Sequence, residues 1–290
     1  VRYEGPIYRP PSEADSLLIQ ATVGCPHNRC TFCLVYKNTR FKVRPTAEIK
    51  ADLEEARRVY GDLVRTIFFP AGNTIAMPTA ALAEICRFSY ALFPGLQRLT
   101  VYGSSQFIHR KGRAGLEALA RAGLGRIHVG LESGDDETLA RIKKGTTARQ
   151  QIAAGRWARE AGIELSLYVI LGLAGKARSA VHARESAAVI NEIQPDFLRL
   201  RTLVPKINTP LLQDVLAGRF QMLSPHEVLA ETLALLEGIT VPTRVVSDHY
   251  TNYINVAGTL PEDREAMRQI LTRALQKKES DFRPFFIGTE

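Results

Sequence analysis

The sequence is poor in cysteine, with four thiols in 290 residues, three of them crowded into the nine positions from Cys25 to Cys33. A disulfide-built secreted domain spreads its cysteines through a short chain, and this chain is neither short nor patterned that way. Long apolar runs are also missing: no stretch reaches the roughly 18–20 residues a membrane-spanning helix needs. The opening VRYEGPIYRPPSEAD holds no apolar segment of the signal-peptide kind, and without a Met at position 1 upstream residues are expected to have been trimmed. Low-complexity tracts, fixed-period repeats and blocks of like charge are absent as well. These absences argue against disulfide-built, membrane-helical and solenoid classes, and a cytoplasmic protein is expected.

What is present is an ordinary globular composition, 45% apolar and 23% charged. A chain this long buries a sizeable core without staples. The formal charge of +8 is compatible with an anionic partner such as RNA, a nucleotide or a carboxylate-rich substrate. It is equally compatible with an Arg-rich solvated surface, because the basic residues are scattered and not interleaved with aromatics.

Short β-rich runs alternate with amphipathic helical runs. Strands are expected at 16–22, Thr66–Phe69, 98–102, 126–131, Glu164–Leu171 and 197–203. Helices are expected at 45–60 with Thr46 as N-cap, at 79–93, 113–122, 136–142, 147–161 and 180–193. Six strand-then-helix steps imply parallel strands with crossover helices. Six is too few for the closed eightfold barrel, so the fold class expected is α/β, an open, partial (βα)6 TIM-like barrel. Beyond Pro205 the pattern changes to a helix from Ser224-Pro225 to about Glu237, a short strand Thr243–Val246 and a closing helix 261–277. Residues 1–205 therefore read as the barrel core and 206–290 as a C-terminal capping segment of the same domain. In such folds ligands sit at the carboxyl ends of the strands.

The loop after the first strand reads GCPHNRCTFC, with spacing Cys25-x4-Cys30-x2-Cys33. Structural zinc needs four ligands, usually two C-x2-C pairs, and there is no second pair; His27 lies awkwardly between the first two thiols. Ferredoxin clusters take four cysteines. Three thiolates hold three corners of a [4Fe–4S] cube and leave the fourth iron open, as a catalytic metal requires. Cys86, amid apolar residues, reads as core.

This loop resembles the signature of the radical S-adenosylmethionine superfamily, a three-cysteine loop after the first strand of a partial barrel. The usual gap between the first two cysteines is one residue shorter. Phe32 matches the aromatic common before the last cysteine. Gly72-Asn73 follows the second strand, where the family carries a Gly-rich turn that holds the cofactor's amino group; by itself the pair reads equally as an ordinary turn. Ser104, after the third strand, joins the implied set. The segment HVGLESGDDETLARIKKGTT resembles the Gly-x-Glu-Ser-Gly stretch of the subgroup containing oxygen-independent coproporphyrinogen oxidase, the methylthiotransferases and the Elongator catalytic subunit. Glu132 is implied to hold the ribose or methionine moiety, and as a buried carboxylate it needs a partner. Asp135 and Asp136 read as the start of the next helix. The adenine is implied to lie near Ile170–Gly172. Arg199 and Arg201 are two apart on a strand and share one face. If that face is the barrel lumen, at least one of Arg199 and Arg201 must meet an anion, and the methionyl carboxylate is a natural partner, with Arg184 the competing candidate.

The resemblance implies a [4Fe–4S] cluster on Cys25, Cys30 and Cys33, bound S-adenosylmethionine, and its reductive cleavage to a 5′-deoxyadenosyl radical that takes hydrogen from a substrate. An oxygen-sensitive enzyme with an electron donor such as flavodoxin or ferredoxin is expected. With no second cysteine cluster and no nucleic-acid domain in view, a small-molecule or peptide substrate is favoured over nucleic acid. The alternatives are a non-catalytic iron–sulfur or haem-handling relative and a zinc-binding nucleic-acid module. His249, Tyr250, Asn252 and Tyr253 read equally as substrate contacts or as a polar structural loop.

Overall fold

The structure is a computed structural model that describes residues 1–289. Its chain divides into two compact units. The first comprises Val1–Asn28, Val35–Val129 and Trp157–Leu165; the second comprises Arg29–Leu34, Gly130–Arg156 and the chain from Ser166 onward. Strand by strand the chain runs β1 (Leu17–Leu18), β2 (Thr22–Val23), β3 (Lys42–Val43), β4 (Thr66–Phe69), β5 (Arg98–Gly103), β6 (Leu124–Glu132), β7 (Glu164–Leu171), β8 (Phe197–Thr202), β9 (Thr243–Val246) and β10 (Gly258–Leu260). The α-helices are α1 (Thr46–Tyr60), α2 (Thr79–Leu92), α3 (Ser105–Arg121), α4 (Asp136–Arg141), α5 (Ala148–Glu160), α6 (Ser179–Ile193), α7 (Pro210–Leu216), α8 (Pro225–Gly238) and α9 (Arg264–Ala274).

In the first unit β1, β4, β5 and β6 lie side by side and parallel, with Leu17 opposite Ile67, Ile67 opposite Leu99 and Val101 opposite Ile127. Helices join consecutive strands, as parallel pairing demands. The strand expected at 16–22 is split. Ile19 still donates to the Phe68 carbonyl, but Thr22 and Val23 leave that ladder and pair antiparallel with β3. Helix α1 buries Ile49, Leu53 and Ala56, a stripe at helical spacing. Its N-cap is Pro45, so Thr46 is the first helical residue and not the cap expected from the sequence. Helix α3 begins eight residues earlier than expected because Gly112, at φ +73°, interrupts its helical backbone and hides the first half from a periodicity reading.

One strand face of this unit is polar. Register places Thr100 beside Arg126 and Tyr102 beside His128. Arg126 and His128 of this face meet Glu13, whose carboxylate is wholly buried and accepts from Ser16 Oγ (2.7 Å), Arg126 Nη1 (3.1 Å), His128 Nε2 (3.1 Å) and Arg98 Nη2 (3.2 Å). Burial pushes the Glu13 carboxyl up, but the bonds from His128 and Ser16 and the charge of Arg98 outweigh it and bring it down to about 2. This ionic plug lies toward the amino ends of the strands, away from the strand ends that carry the candidate site.

In the second unit β7, β8 and β9 are parallel, with Tyr168 opposite Arg199 and Arg199 opposite Val246, and β10 runs antiparallel to β9. Leu167, Val169, Leu171, Leu198 and Leu200 form one apolar, buried side of this ladder. Helix α8 starts on a capping box, with Ser224 Oγ accepting from Glu227 N while Glu227 accepts from Ser224 N. Helix α7 was not foreseen, although Thr209-Pro210 is an N-cap followed by Pro at N1; Thr209 Oγ1 accepts from Leu212 N at 3.3 Å. Among the described residues no helix is long and apolar enough to cross a membrane.

Candidate active site

In the first unit the cysteine loop meets the turn after β4 backbone to backbone. Gly72 N donates to the Gly24 carbonyl at 3.1 Å. A Cβ at position 72 would stand 2.8 Å from Cys25 Cβ and 2.8 Å from the Tyr36 ring, so only glycine fits there. Asn73 is 1% exposed, and its side chain clasps Ser104: Asn73 Nδ2 donates to Ser104 Oγ (2.9 Å) and Ser104 N donates to Asn73 Oδ1 (3.1 Å). The structure thus brings together Cys25, Gly72, Asn73 and Ser104 at the ends of β2, β4 and β5. The base of the loop is pinched where Asn28 Nδ2 donates to the Tyr36 carbonyl at 2.6 Å.

The rest of the loop, Arg29–Leu34, belongs to the second unit. Cys33 N faces the Cys30 carbonyl at 3.4 Å, making a turn that carries both thiols. Thr31 ties the turn down, donating to Ile142 O (3.0 Å) and accepting from Leu211 N (3.1 Å). Phe32 packs against a buried cluster of Leu139, Ile142, Leu173, Leu203, Leu211 and Phe220, beside Ile170. It anchors the loop through apolar contact.

Glu132 ends β6 in a left-handed conformation, φ +64°. Its carboxylate has the partner that burial demands, Lys144 Nζ at 2.8 Å. The next turn is equally constrained: Gly134 N donates to Ser186 Oγ at 2.9 Å, and a Cβ on Gly134 would come within 2.3 Å of the Glu185 carbonyl oxygen. Asp135 caps α4 as expected and also takes a two-pronged bond from Arg178 (2.9 and 2.8 Å). Burial disfavours the charged carboxylate, but the bonds from Arg178 and Thr138 outweigh it and hold Asp135 well below the usual range.

Sequence reasoning missed the brace behind these turns. His182 of α6 and Glu231 of α8 are both buried. His182 Nδ1 pairs with Glu231 Oε1 at 3.0 Å and Nε2 with the Glu132 carbonyl at 3.1 Å. Glu231 also accepts from Gly172 N at 2.7 Å and from Ser179 Oγ. Burial works against a charged imidazole, but the Glu231 hydrogen bond and charge prevail, raising the His182 pKa. This brace joins the turns after β6 and β7 to α6 and α8. The only sequence signal for it was a His and a Glu at core-facing helical positions.

Arg199 is 7% exposed and donates to Ser166 Oγ at 3.1 Å, while Arg201 lies 4.8 Å over the Tyr168 ring. Arg184 is elsewhere: its side chain is 68% exposed and paired with the adjacent Glu185 at 2.9 Å. In the tail, Asn252 is structural, donating to Leu200 O and Ser247 O (both 2.9 Å) and accepting from Thr202 Oγ1 (3.1 Å). Tyr253 lies under Arg283, 4.2 Å from ring centre to guanidinium. Cys86 is core, as expected, its thiol pushed up to about 12 by burial.

The three cysteines of the loop are partly exposed, while Cys86 is buried. Among the described residues no three His, Cys, Asp or Glu side chains stand as a preassembled metal cage. The donor set is three soft thiols on one loop, which fits an iron–sulfur cluster held at three corners.

A family model described as the radical SAM superfamily matches residues 19–183. An uncharacterised protein of Methanocaldococcus jannaschii is 23% identical over 228 residues, 75% of this chain and 70% of its own length. Among solved structures, the radical S-adenosylmethionine methyltransferase TsrM of Kitasatospora setae, with cobalamin and a [4Fe–4S] cluster bound, aligns at TM-score 0.56 and 21% identity over 68% of this chain and 38% of that one. Methylornithine synthase aligns at 0.55 and 15% identity over 92% of this chain and 84% of that one. Coproporphyrinogen III oxidase of Escherichia coli aligns at 0.55 and 17% identity, covering 77% and 52%. The chain thus spans well under half of the methyltransferase and about half of the oxidase. These likenesses establish the fold, an α/β architecture with mostly parallel strands like the TIM-like barrels of those proteins.

Proposed function

Because the chain belongs to the radical S-adenosylmethionine superfamily, we propose that Cys25, Cys30 and Cys33 hold its cluster and that the turns at the strand ends seat its cosubstrate. It is an enzyme, and the family's cofactors, a [4Fe–4S] cluster and S-adenosylmethionine, are its cofactors. When bound, they supply a 5′-deoxyadenosyl radical by one-electron cleavage of a sulfonium S–C bond.

The chain's own residues position and shield. The bare Cα of Gly72 keeps the Cys25 segment in place against the turn after β4. Asn73 and Ser104, each fixed by the other, present a polar edge suited to the cosubstrate's amino group. Glu132, neutralised by Lys144, offers acceptors for a ribose. Ile170 and the turn at Gly172 provide an apolar wall and backbone for the adenine. Arg201, with no carboxylate of the described residues bonded to it, is assigned the methionyl carboxylate; the exposed Arg184 is less suited. Residues 206–290 serve as the cap that excludes water from a radical. Two contacts within the second unit support this, the Leu211–Thr31 backbone bond and the packing of Phe32 with Phe220.

The substrate proposed is a small molecule or peptide, the reductant a flavodoxin or ferredoxin, and the setting the cytoplasm, with sensitivity to oxygen following from an open iron. The observation that carries the reading is the family match together with three partly exposed cysteines on one loop. Anaerobic reconstitution followed by iron, sulfide and zinc analysis tests it. About four irons and four sulfides per chain are expected for such a cluster, lost on Cys25→Ala, Cys30→Ala or Cys33→Ala. Zinc without sulfide would overturn the proposal.

A further inference from the structure

The face of β7 and β8 opposite the apolar Leu and Val side carries more positive charge than the cosubstrate's one carboxylate can use. Register sets Arg199 beside Tyr168 and Arg201 beside Ile170, so both guanidiniums emerge on one face. Arg199 is more than nine-tenths buried, yet its hydrogen bond goes to the neutral Ser166 hydroxyl. Arg201 is stacked on the Tyr168 ring. Neither has a carboxylate partner among the described residues, and a buried guanidinium without one is costly. His249 adds to the same cluster. It is half-buried and held by Thr251 Oγ1 at 2.8 Å; burial, and then the charges of Arg201 and Lys206, bring its pKa down to about 4, so it joins as a neutral hydrogen-bonding ring. The acid acting on it, Asp248, is exposed. Asn252 fixes the segment bearing His249 to the end of β8 through Leu200 O and Thr202 Oγ1.

We propose that the substrate of this enzyme carries an anionic group, a carboxylate or a phosphate, that seats on Arg199 and His249, beside the Arg201 assigned to the cosubstrate, while S-adenosylmethionine is bound. The inference rests on the radical reading above, and it adds the substrate's charge and two residues that recognise it. Arg binds both oxyanion types in a two-pronged manner, so the shared chemistry is the anion itself.

The test titrates inorganic phosphate and, separately, succinate into cluster-loaded protein saturated with S-adenosylmethionine, by calorimetry. One of the two probes should bind, and which one does tells phosphate from carboxylate. Arg199→Gln should weaken that binding at least tenfold while leaving affinity for S-adenosylmethionine within threefold. Arg199→Lys, which keeps the charge, should fold and retain most of the binding. Three results would each overturn the proposal: no probe binding to the saturated wild type, binding that Arg199→Gln leaves unchanged, or probe binding that S-adenosylmethionine abolishes. The same samples, assayed for 5′-deoxyadenosine, keep the two readings apart. Cofactor cleavage without probe binding removes only the anion site, and probe binding without cleavage removes only the radical reading.

Discussion

Substituting Glu231 probes the brace behind two of the turns assigned to the cofactor. Its carboxylate accepts from His182, from Gly172 N at 2.7 Å and from Ser179 Oγ, and all of this is buried. Glu231→Ala strands a charged imidazole and a backbone N–H. Breaking a buried pair from one side costs about 3–5 kcal/mol. At roughly 2 °C per kcal/mol for a chain of this size, the melting temperature should fall by about 6–10 °C. Glu231→Gln keeps an acceptor for Gly172 and loses only the charge, so its cost should be nearer 2 kcal/mol. The sign with pH follows from His182, whose pKa is raised in the fold. That contribution is complete below about pH 6.5, the unfolded value, and is lost as pH rises through the folded value. Thermal melts of wild type and Glu231→Gln should therefore differ more at pH 6 than at pH 9. An equal gap at both pH values would show that His182 is neutral throughout and refute the ion-pair account. The same variant should raise the Kd for S-adenosylmethionine, since the Glu132 and Gly172 turns lose their common support.

Three further outcomes are expected. Gly72→Ala should lower iron loading on reconstitution, because the new methyl would collide with Cys25 Cβ and the Tyr36 ring, and circular dichroism should show the fold retained. Glu13→Gln should destabilise by roughly 3 kcal/mol at neutral pH in urea titration, the amount set by a buried carboxyl brought from 4.5 to about 2; the wild type's advantage is present above pH 4.5 and disappears as pH falls toward 2. Cys86→Ala should leave iron content unchanged and cost about 1–2 kcal/mol as a small core truncation, which separates the fourth thiol from the cluster set.

Much of the fold was legible because strand and helix periodicities differ and the turns were well marked. Thr66–Phe69, Glu164–Leu171 and Thr243–Val246 fall where the alternation placed them. The misplacements have local causes. The first strand was read as continuous because nothing in SLLIQAT signals that Thr22 pairs with Val43 while Leu17 pairs with Ile67. Gly112 hid half of α3, and α7 is too short to show a period. The candidate site was legible where chemistry is local in sequence, as in the cysteine loop and the capping role of Asp135. It was not legible where partners are distant. The Asn73–Ser104 clasp spans 31 residues and the His182–Glu231 pair spans 49, and no spacing rule connects such positions. The sequence leaves Arg184, Arg199 and Arg201 open for one role, and in the structure Arg184 lies in solvent while Arg201 lies over Tyr168.

The most direct measurement is the yield of 5′-deoxyadenosine from anaerobically reconstituted protein given dithionite and S-adenosylmethionine. The account predicts that the nucleoside and methionine form together from the wild type, and that neither forms from Cys25→Ala, Cys30→Ala or Cys33→Ala. A fully loaded wild-type cluster that leaves S-adenosylmethionine intact would contradict it.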